Sequence, residues 1–204
     1  MDARVVRGGR PRVGRRTVIP RAVAGAAWDM VFLDRDGTIN ERRVGGYVDS
    51  PDRVVLLPGA AEAVARLTAA GIPVVVVTNQ RGLATGRLTW AQFDAVSARV
   101  GAALAAAGGR IAHTAVCPHD HGACVCRKPA DGMFRAVLRE APWVDPHRCA
   151  MVGDMPSDVA PARGLGMYAV HLGPDAPDLA AAVDLLLHHP SSVERPVEGR
   201  RESG

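Results

Sequence analysis

The chain has 204 residues with 25 basic and 21 acidic side chains, a net charge of +4, 48% hydrophobic content and four cysteines. That apolar content excludes a wholly disordered chain. No apolar run reaches the roughly 18 residues of a membrane-spanning helix, and the N-terminus lacks a signal-peptide core.

The charge is uneven. Residues 1–27 carry +6 and residues 189–204 are neutral, which leaves −2 on residues 28–188. Residues 1–27 are rich in Gly, Pro and Arg and are expected to form a disordered basic leader. Such an arm suits nucleic acid, but no aromatics interleave with its arginines as base stacking requires, so that role is the less favoured. Residues 189–204 are read as a flexible tail.

From Trp28 onward, short apolar runs alternate with alanine-rich amphipathic stretches. Met30 to Leu33 reads as a buried strand, and Pro58 to Ala70 as a helix stopped by Gly71. Val74 to Val77 is a second strand. Thr89 caps a helix that runs to Ala107 and stops at Gly108-Gly109. Ile111 to Val116 is a third strand and Asp131 to Glu140 a helix. Cys149 to Val152 is a strand, Ser157 to Arg163 a helix, Met167 to His171 a last strand, and Asp178 to Leu187 a closing helix. Strands with continuous apolar runs, separated by helices, predict an α/β domain over 28–188: a Rossmann-like doubly wound parallel sheet with both faces covered. Ligands of such folds bind beyond the carboxyl ends of the strands.

Each strand end carries something polar. The first gives Asp34-Arg35-Asp36-Gly37-Thr38. Two carboxylates one residue apart on a turn cannot both hide in a core, and they suit a nucleophile and a general acid/base beside a divalent cation. A calcium loop is the competing reading of Asp-x-Asp-Gly, but no acidic residues follow at the required spacing. The second end gives Thr78-Asn79-Gln80, where a hydroxyl can donate to phosphate. Next comes Arg127-Lys128-Pro129. Of the 25 basic residues Lys128 alone is lysine, and its compact ammonium fits one phosphoryl oxygen and a neighbouring carboxylate. The fourth strand ends in Gly153-Asp154-Met155-Pro156-Ser157-Asp158, with two more carboxylates within reach of one cation.

These four segments, in this order, resemble the haloacid dehalogenase superfamily of phosphohydrolases. Its motifs are Asp-x-Asp-Gly-Thr/Val, a Thr or Ser, a Lys, and Gly-Asp-x-x-x-Asp. The resemblance covers about residues 28–188.

Between the third strand and Lys128 lies Cys117-Pro118-His119-Asp120-His121-Gly122-Ala123-Cys124-Val125-Cys126. Cys117, Cys124 and Cys126 with one histidine can close a tetrahedral Cys₃His zinc site. His119 mirrors the Cys-x-Cys spacing and is preferred, with His121 as the competitor. With four protein ligands the zinc is expected to be structural, pinning the loop that aims Arg127 and Lys128. Cys149 reads as a buried core thiol. Thiolate ligands imply a reducing compartment, and the cytoplasm is the expected location.

The loop is similar to that of the superfamily's zinc-containing branch, which includes heptose 1,7-bisphosphate and histidinol-phosphate phosphatases. The stretches around Asn40, Gly46-Tyr47-Val48 and Thr78 to Gly86 favour the heptose group. Arg81 and Thr85 depart from that group's pattern, where Ser and Arg stand. The short segment between His119 and Cys124 is closer to the histidinol-phosphate group.

The resemblance implies a chemistry. Asp34 attacks phosphorus to form an aspartyl-phosphate, and Asp36 works as general acid and then general base. Mg²⁺ would sit on Asp34, the main-chain carbonyl of Asp36 and Asp154, with Asp158 behind them orienting Lys128 or a water. Thr78 and Lys128 would bind the transferring oxygens. Arg127, Asn79 and Gln80 would contact the sugar or its second phosphate, with Asn40 and Tyr47 at the mouth. Residues 39–57 are too few for a cap domain, so a capless, monomeric enzyme acting on a small phosphorylated sugar is expected. The alternatives are a histidinol-phosphate phosphatase, a nucleic-acid end-processing or binding protein using the leader, and a catalytically silent zinc scaffold.

Overall fold

A computed structural model describes residues 18–189 of the chain. Five strands form one sheet: β1 Met30–Leu33, β2 Val74–Asn79, β3 His113–Cys117, β4 Cys149–Gly153 and β5 Tyr168–His171. Five helices connect and cover them: α1 Ala60–Ala69, α2 Trp90–Ala106, α3 Gly132–Glu140, α4 Pro156–Gly164 and α5 Leu179–His188. The strand order is β3-β2-β1-β4-β5 and every pairing is parallel. The α/β doubly wound sheet expected from the apolar runs is what forms.

Side chains of successive strand residues point to opposite faces, so a continuous apolar run feeds two cores. Val31, Leu33, Val74 and Val76 pack with Val64 and Leu67 of α1, Leu104 of α2, and Val183 and Leu186 of α5. Met30, Phe32, Val75 and Val77 pack on the other face with Met133, Phe134 and Val137 of α3 and Ala162 of α4. Phe32 and Phe134 meet with ring centroids 5.2 Å apart.

Local signals set the boundaries. Thr89 closes a capping box on α2: its Oγ1 accepts from Gln92 N at 3.2 Å, and Gln92 Oε1 accepts from Thr89 N at 2.8 Å. The helix expected from Pro58 starts two residues later, because Gly59 at φ 72° is left-handed and cannot belong to the helix. Strand β2 runs two residues beyond the expected Val77, because Thr78 and Asn79 pair with Val116 and Cys117 of β3. Those two residues belong to the site.

The expected domain start at Trp28 is too late. Residues 1–17 of the leader lie outside the described residues, but residues 18–27 pack on the body. Ile19 is 2% exposed in the core under α3 and α4. Val23 N donates to Gly71 O at 3.1 Å, and the Arg21 guanidinium lies 5.1 Å from the centre of the Trp143 ring. Of the expected tail, His189 packs on Tyr168 at 4.4 Å between ring centroids, and the rest lies outside the described residues. Among the described residues, no helix is long and apolar enough to cross a membrane.

The chain winds outward from β1 through β2 to β3, then returns to the other side of β1 for β4 and β5. The crevice at such a reversal, beyond the carboxyl ends of β1 and β4, is where a ligand finds room between diverging loops.

Candidate active site

Asp34 leaves β1 at that crevice and is 5% exposed. Lys128 Nζ lies 2.6 Å from Asp34 Oδ1, 2.8 Å from Asp158 Oδ1 and 2.7 Å from Val77 O. An ammonium has three N–H donors, and all three are used here. A charge this deep survives only when paired on all sides. Burial works to lower the Lys128 value, but the charges of Asp34 and Asp158 outweigh it and hold the value above the ordinary lysine range. Burial raises Asp34 to about 6; Lys128 pulls against that and the Asp158 charge adds to it. Asp158 also accepts from Met155 N at 3.0 Å through Oδ2, which ties the first turn of α4 to the site.

Asp36 sits in a cradle. Its carboxylate accepts from Arg35 Nη2 at 2.9 Å, Asn40 Nδ2 at 2.9 Å and Gln80 Nε2 at 2.7 Å. Burial tends to raise its value, but the Arg35 charge and these three donors hold it below the usual carboxylate range. Arg35 in turn lies 5.3 Å from the centre of the Phe93 ring of α2. Gln80 Nε2 also donates to Thr78 Oγ1 at 2.8 Å. With its oxygen accepting there, the Thr78 hydroxyl keeps its proton for another acceptor.

This moves Asn40 away from the expected mouth and gives Gln80 and Asn79 tasks besides an expected sugar contact. Asn40 is fully buried, does not line the cavity, and holds Asp36 through Nδ2. Gln80 lines the cavity, but its amide NH₂ is committed to Asp36 and Thr78. Asn79 also lines the cavity, while its amide grips the main chain of Lys128 from both sides. Nδ2 donates to Lys128 O at 3.0 Å and Oδ1 accepts from Lys128 N at 3.1 Å. The Asn79 amide fits the Lys128 main chain as one more strand residue would.

One carboxylate oxygen each from Asp34, Asp154 and Asp158 lies within 4.8 Å of the others. Gly37, at φ 100°, lets the turn pass against Asp154, where any Cβ would collide with the carboxylate. The Arg42 guanidinium donates to Asp36 O at 3.1 Å and to Asp154 Oδ1 at 2.8 Å. A cationic group thus already bridges a carbonyl and a carboxylate expected to hold Mg²⁺. Hard oxygen donors of this kind fit Mg²⁺. Burial raises Asp154 above the ordinary carboxylate value, and Arg42 opposes that.

A cavity of about 290 Å³ opens over these groups. Asp34, Asp36, Thr78 and Lys128, the residues expected to be catalytic, line one cavity with Arg127, Tyr47, Arg42 and Arg43. Arg127 Nη1 is buried without a hydrogen-bond partner. Tyr47 lies beneath the Arg87 guanidinium at 5.7 Å. Arg42 and Arg43 were not foreseen. In a chain where 24 of 25 basic residues are arginine, nothing marks them.

The cysteine loop closes as the spacing predicts. Cys126 Sγ lies 3.4 Å from Cys117 Sγ and 3.3 Å from Cys124 Sγ, and Cys117 Sγ is 3.6 Å from Cys124 Sγ. His119 Nδ1 is 3.2 Å from Cys126 Sγ and completes the cluster. A tetrahedral zinc with Zn–S near 2.3 Å would set its sulfurs about 3.8 Å apart. The four residues therefore fit the ion with a small expansion. His121 is exposed and outside the cluster. The Cys126 thiol, helped by His119 and Cys124, draws Cys117 down to about 5 against burial. Cys149 lies apart at the start of β4, buried, with its thiol donating to Asp145 O at 3.4 Å.

The same arrangement of strands recurs in known proteins. A haloacid dehalogenase-like hydrolase family profile matches residues 12–166. The D-glycero-β-D-manno-heptose-1,7-bisphosphate 7-phosphatase of Bordetella bronchiseptica is 41% identical over 139 residues, 67% of this chain and 76% of that one. The D-glycero-α-D-manno-heptose-1,7-bisphosphate 7-phosphatase of Mycobacterium bovis is 38% identical over 147 residues, 72% of this chain and 77% of that one. The crystal structure of the B. bronchiseptica D,D-heptose 1,7-bisphosphate phosphatase with magnesium and phosphate superposes with a TM-score of 0.71 at 35% identity. It covers 78% of this chain and 97% of that one. With a profile over most of its length and relatives near 40% identity, the chain belongs to the haloacid dehalogenase-like hydrolase family.

Proposed function

We propose that the chain is a magnesium-dependent phosphomonoesterase that removes the 7-phosphate of a D-glycero-D-manno-heptose 1,7-bisphosphate through an aspartyl-phosphate. The observation that carries this reading is the Asp34–Lys128 contact of 2.6 Å on the wall of the cavity. A buried carboxylate is fixed there by an ammonium that also faces incoming phosphate. The relatives' names supply the substrate.

Asp34 attacks phosphorus through a carboxylate oxygen. The P–O bond to the sugar breaks as a new P–O bond to Asp34 forms. Asp36, held as a carboxylate by its donors, takes up a proton carried in by the substrate phosphate and gives it to the leaving alkoxide. As carboxylate it then takes a proton from water, whose oxygen attacks the aspartyl-phosphate, releasing phosphate and freeing Asp34. Thr78 donates to the transferring oxygens, and Lys128 joins it with the donor that otherwise goes to Asp34, where fixed donors in a dry site count most. Mg²⁺ on Asp34, Asp36 O and Asp154 would offset the repulsion between nucleophile and phosphate. Arg127 and Tyr47 lie on the cavity wall where the rest of the substrate must pass, and the charge of Arg127 there suits the second phosphate. A structural zinc on Cys117, His119, Cys124 and Cys126 would stiffen the segment that leads into Arg127 and Lys128.

Free thiols in the zinc cluster suit the cytoplasm. The test is phosphate release with and without Mg²⁺ on both anomers of the heptose bisphosphate, on histidinol phosphate and on a 3′-phosphorylated oligonucleotide. Preference for a heptose bisphosphate is expected. Preference for histidinol phosphate or the oligonucleotide would overturn the substrate assignment. Full activity without Mg²⁺, or in Asp34→Asn, would overturn the mechanism.

A further inference from the structure

We infer that Arg42 is a tethered cation that competes with Mg²⁺ for the divalent-cation site and must be displaced before Mg²⁺ binds. The inference rests on the Mg²⁺-dependent reading above. Arg42 Nε and Nη2 lie 3.2 and 3.1 Å from Asp36 O, and Nη2 lies 2.8 Å from Asp154 Oδ1. The carbonyl and the carboxylate are two of the three groups expected to hold the ion. A divalent cation and a guanidinium cannot share those oxygens, since like charges at contact repel and the lone pairs are already engaged.

The tether can let go. Residues 41–46 are all exposed, and the Arg42 side chain is 39% exposed, so release needs no core rearrangement. Gly45 at φ 73° and the adjoining Gly46 give the segment backbone freedom. The contact is correspondingly modest, because half-exposed ion pairs are weak. Its effect on Mg²⁺ is a population effect: apparent affinity falls by the fraction of molecules in which the site is open. Once displaced, Arg42 remains a cation on the cavity wall, beside Arg43, where it can meet a substrate phosphate.

Arg43 provides the control. It lines the same cavity and carries the same charge, but its side chain makes no ion pair or hydrogen bond among the described residues. Direct occupancy predicts an effect specific to Arg42, whereas general charge repulsion predicts equal effects.

Titration calorimetry with Mg²⁺ and the Mg²⁺-induced shift in melting temperature, on the zinc-loaded full chain, read this without turnover. Arg42→Met should bind Mg²⁺ about threefold to tenfold more tightly than the wild type, and Arg43→Met less than about twofold. The Mg²⁺-induced rise in melting temperature should be larger in Arg42→Met. Unchanged or weaker binding in Arg42→Met, or equal tightening in both variants, overturns the role of Arg42 and leaves the phosphatase reading standing. Absence of any Mg²⁺ binding to the wild type overturns both.

Discussion

Lys128 Nζ and Asp34 Oδ1 stand 2.6 Å apart at the meeting of β1 and the segment behind the cysteine loop, and neither residue is more than 5% exposed. The pair is held from behind by Asp158 and by the carbonyl of Val77. Its geometry leaves no room for a planar fork in place of a compact ammonium. Lys128→Arg is therefore expected to abolish phosphate release and to destabilise the fold. Lys128→Met removes the cation between two buried carboxylates and should cost about 3 kcal/mol or more in urea unfolding, the scale of a broken buried pair. Wild-type stability in Lys128→Met would contradict the coupling.

The Lys128 main chain is gripped by the Asn79 amide, so Asn79→Ala should misplace the ammonium more than it weakens substrate binding. The expected result is a fall in kcat of about tenfold or more with KM little changed, since ~1 Å of misplacement is costly in a positioned site. A pure KM effect would return Asn79 to a simple sugar contact.

Asp34 titrates near 6 in the metal-free protein, chiefly through burial. The sign follows. A carboxyl whose folded value lies above its unfolded one favours the folded state fully below the unfolded value. That advantage is lost as pH rises through about 6. Mg²⁺ binds the ionised form and works in the opposite direction. The Mg²⁺-induced gain in melting temperature should thus shrink as pH falls through about 6, and Asp34→Asn should remove that dependence. The check is thermal unfolding from pH 5 to 8 with EDTA or Mg²⁺.

The cysteine cluster predicts one zinc per chain by elemental analysis. Cys126→Ser should lose the metal, lower the melting temperature and reduce activity, because Arg127 and Lys128 follow directly in the chain. Cys149→Ser should keep the zinc, since that thiol lies buried at the start of β4 outside the cluster. Retained zinc in Cys126→Ser would remove the loop from the metal site.

Much of the site was legible because the strand ends carry it. Asp34, Thr78 and Asp154 each follow or close an apolar run long enough to name a strand, and a parallel sheet brings such ends together, whereas Lys128 stands out as the one lysine of the chain. The role of Asn40 was not legible. An asparagine in a turn may face water or a carboxylate, and only the fold shows it buried against Asp36. Arg42 was hidden for a different reason. Its partners lie 6 and 112 residues away, and its type is the commonest cation of the chain. The N-terminal boundary failed because composition averages over residues 1–27, whereas burial is decided one side chain at a time.

That boundary makes the last prediction. Ile19 fills the core beneath α3 and α4, and Val23 packs over Gly71, where a Cβ would strike its side chain. Deleting residues 1–27 removes both, so it should lower stability by a few kcal/mol. Ile19→Ala alone should cost about 2–4 kcal/mol, the range for a large-to-small change in a packed core. The catalytic groups stand on β1, β2, β4 and the segment behind the cysteine loop. Activity per folded molecule should therefore survive in Ile19→Ala at low temperature and fail early on heating. Denaturant unfolding beside phosphate release at two temperatures separates the outcomes. Full stability in the deletion would show that residues 18–27 are a loose arm after all.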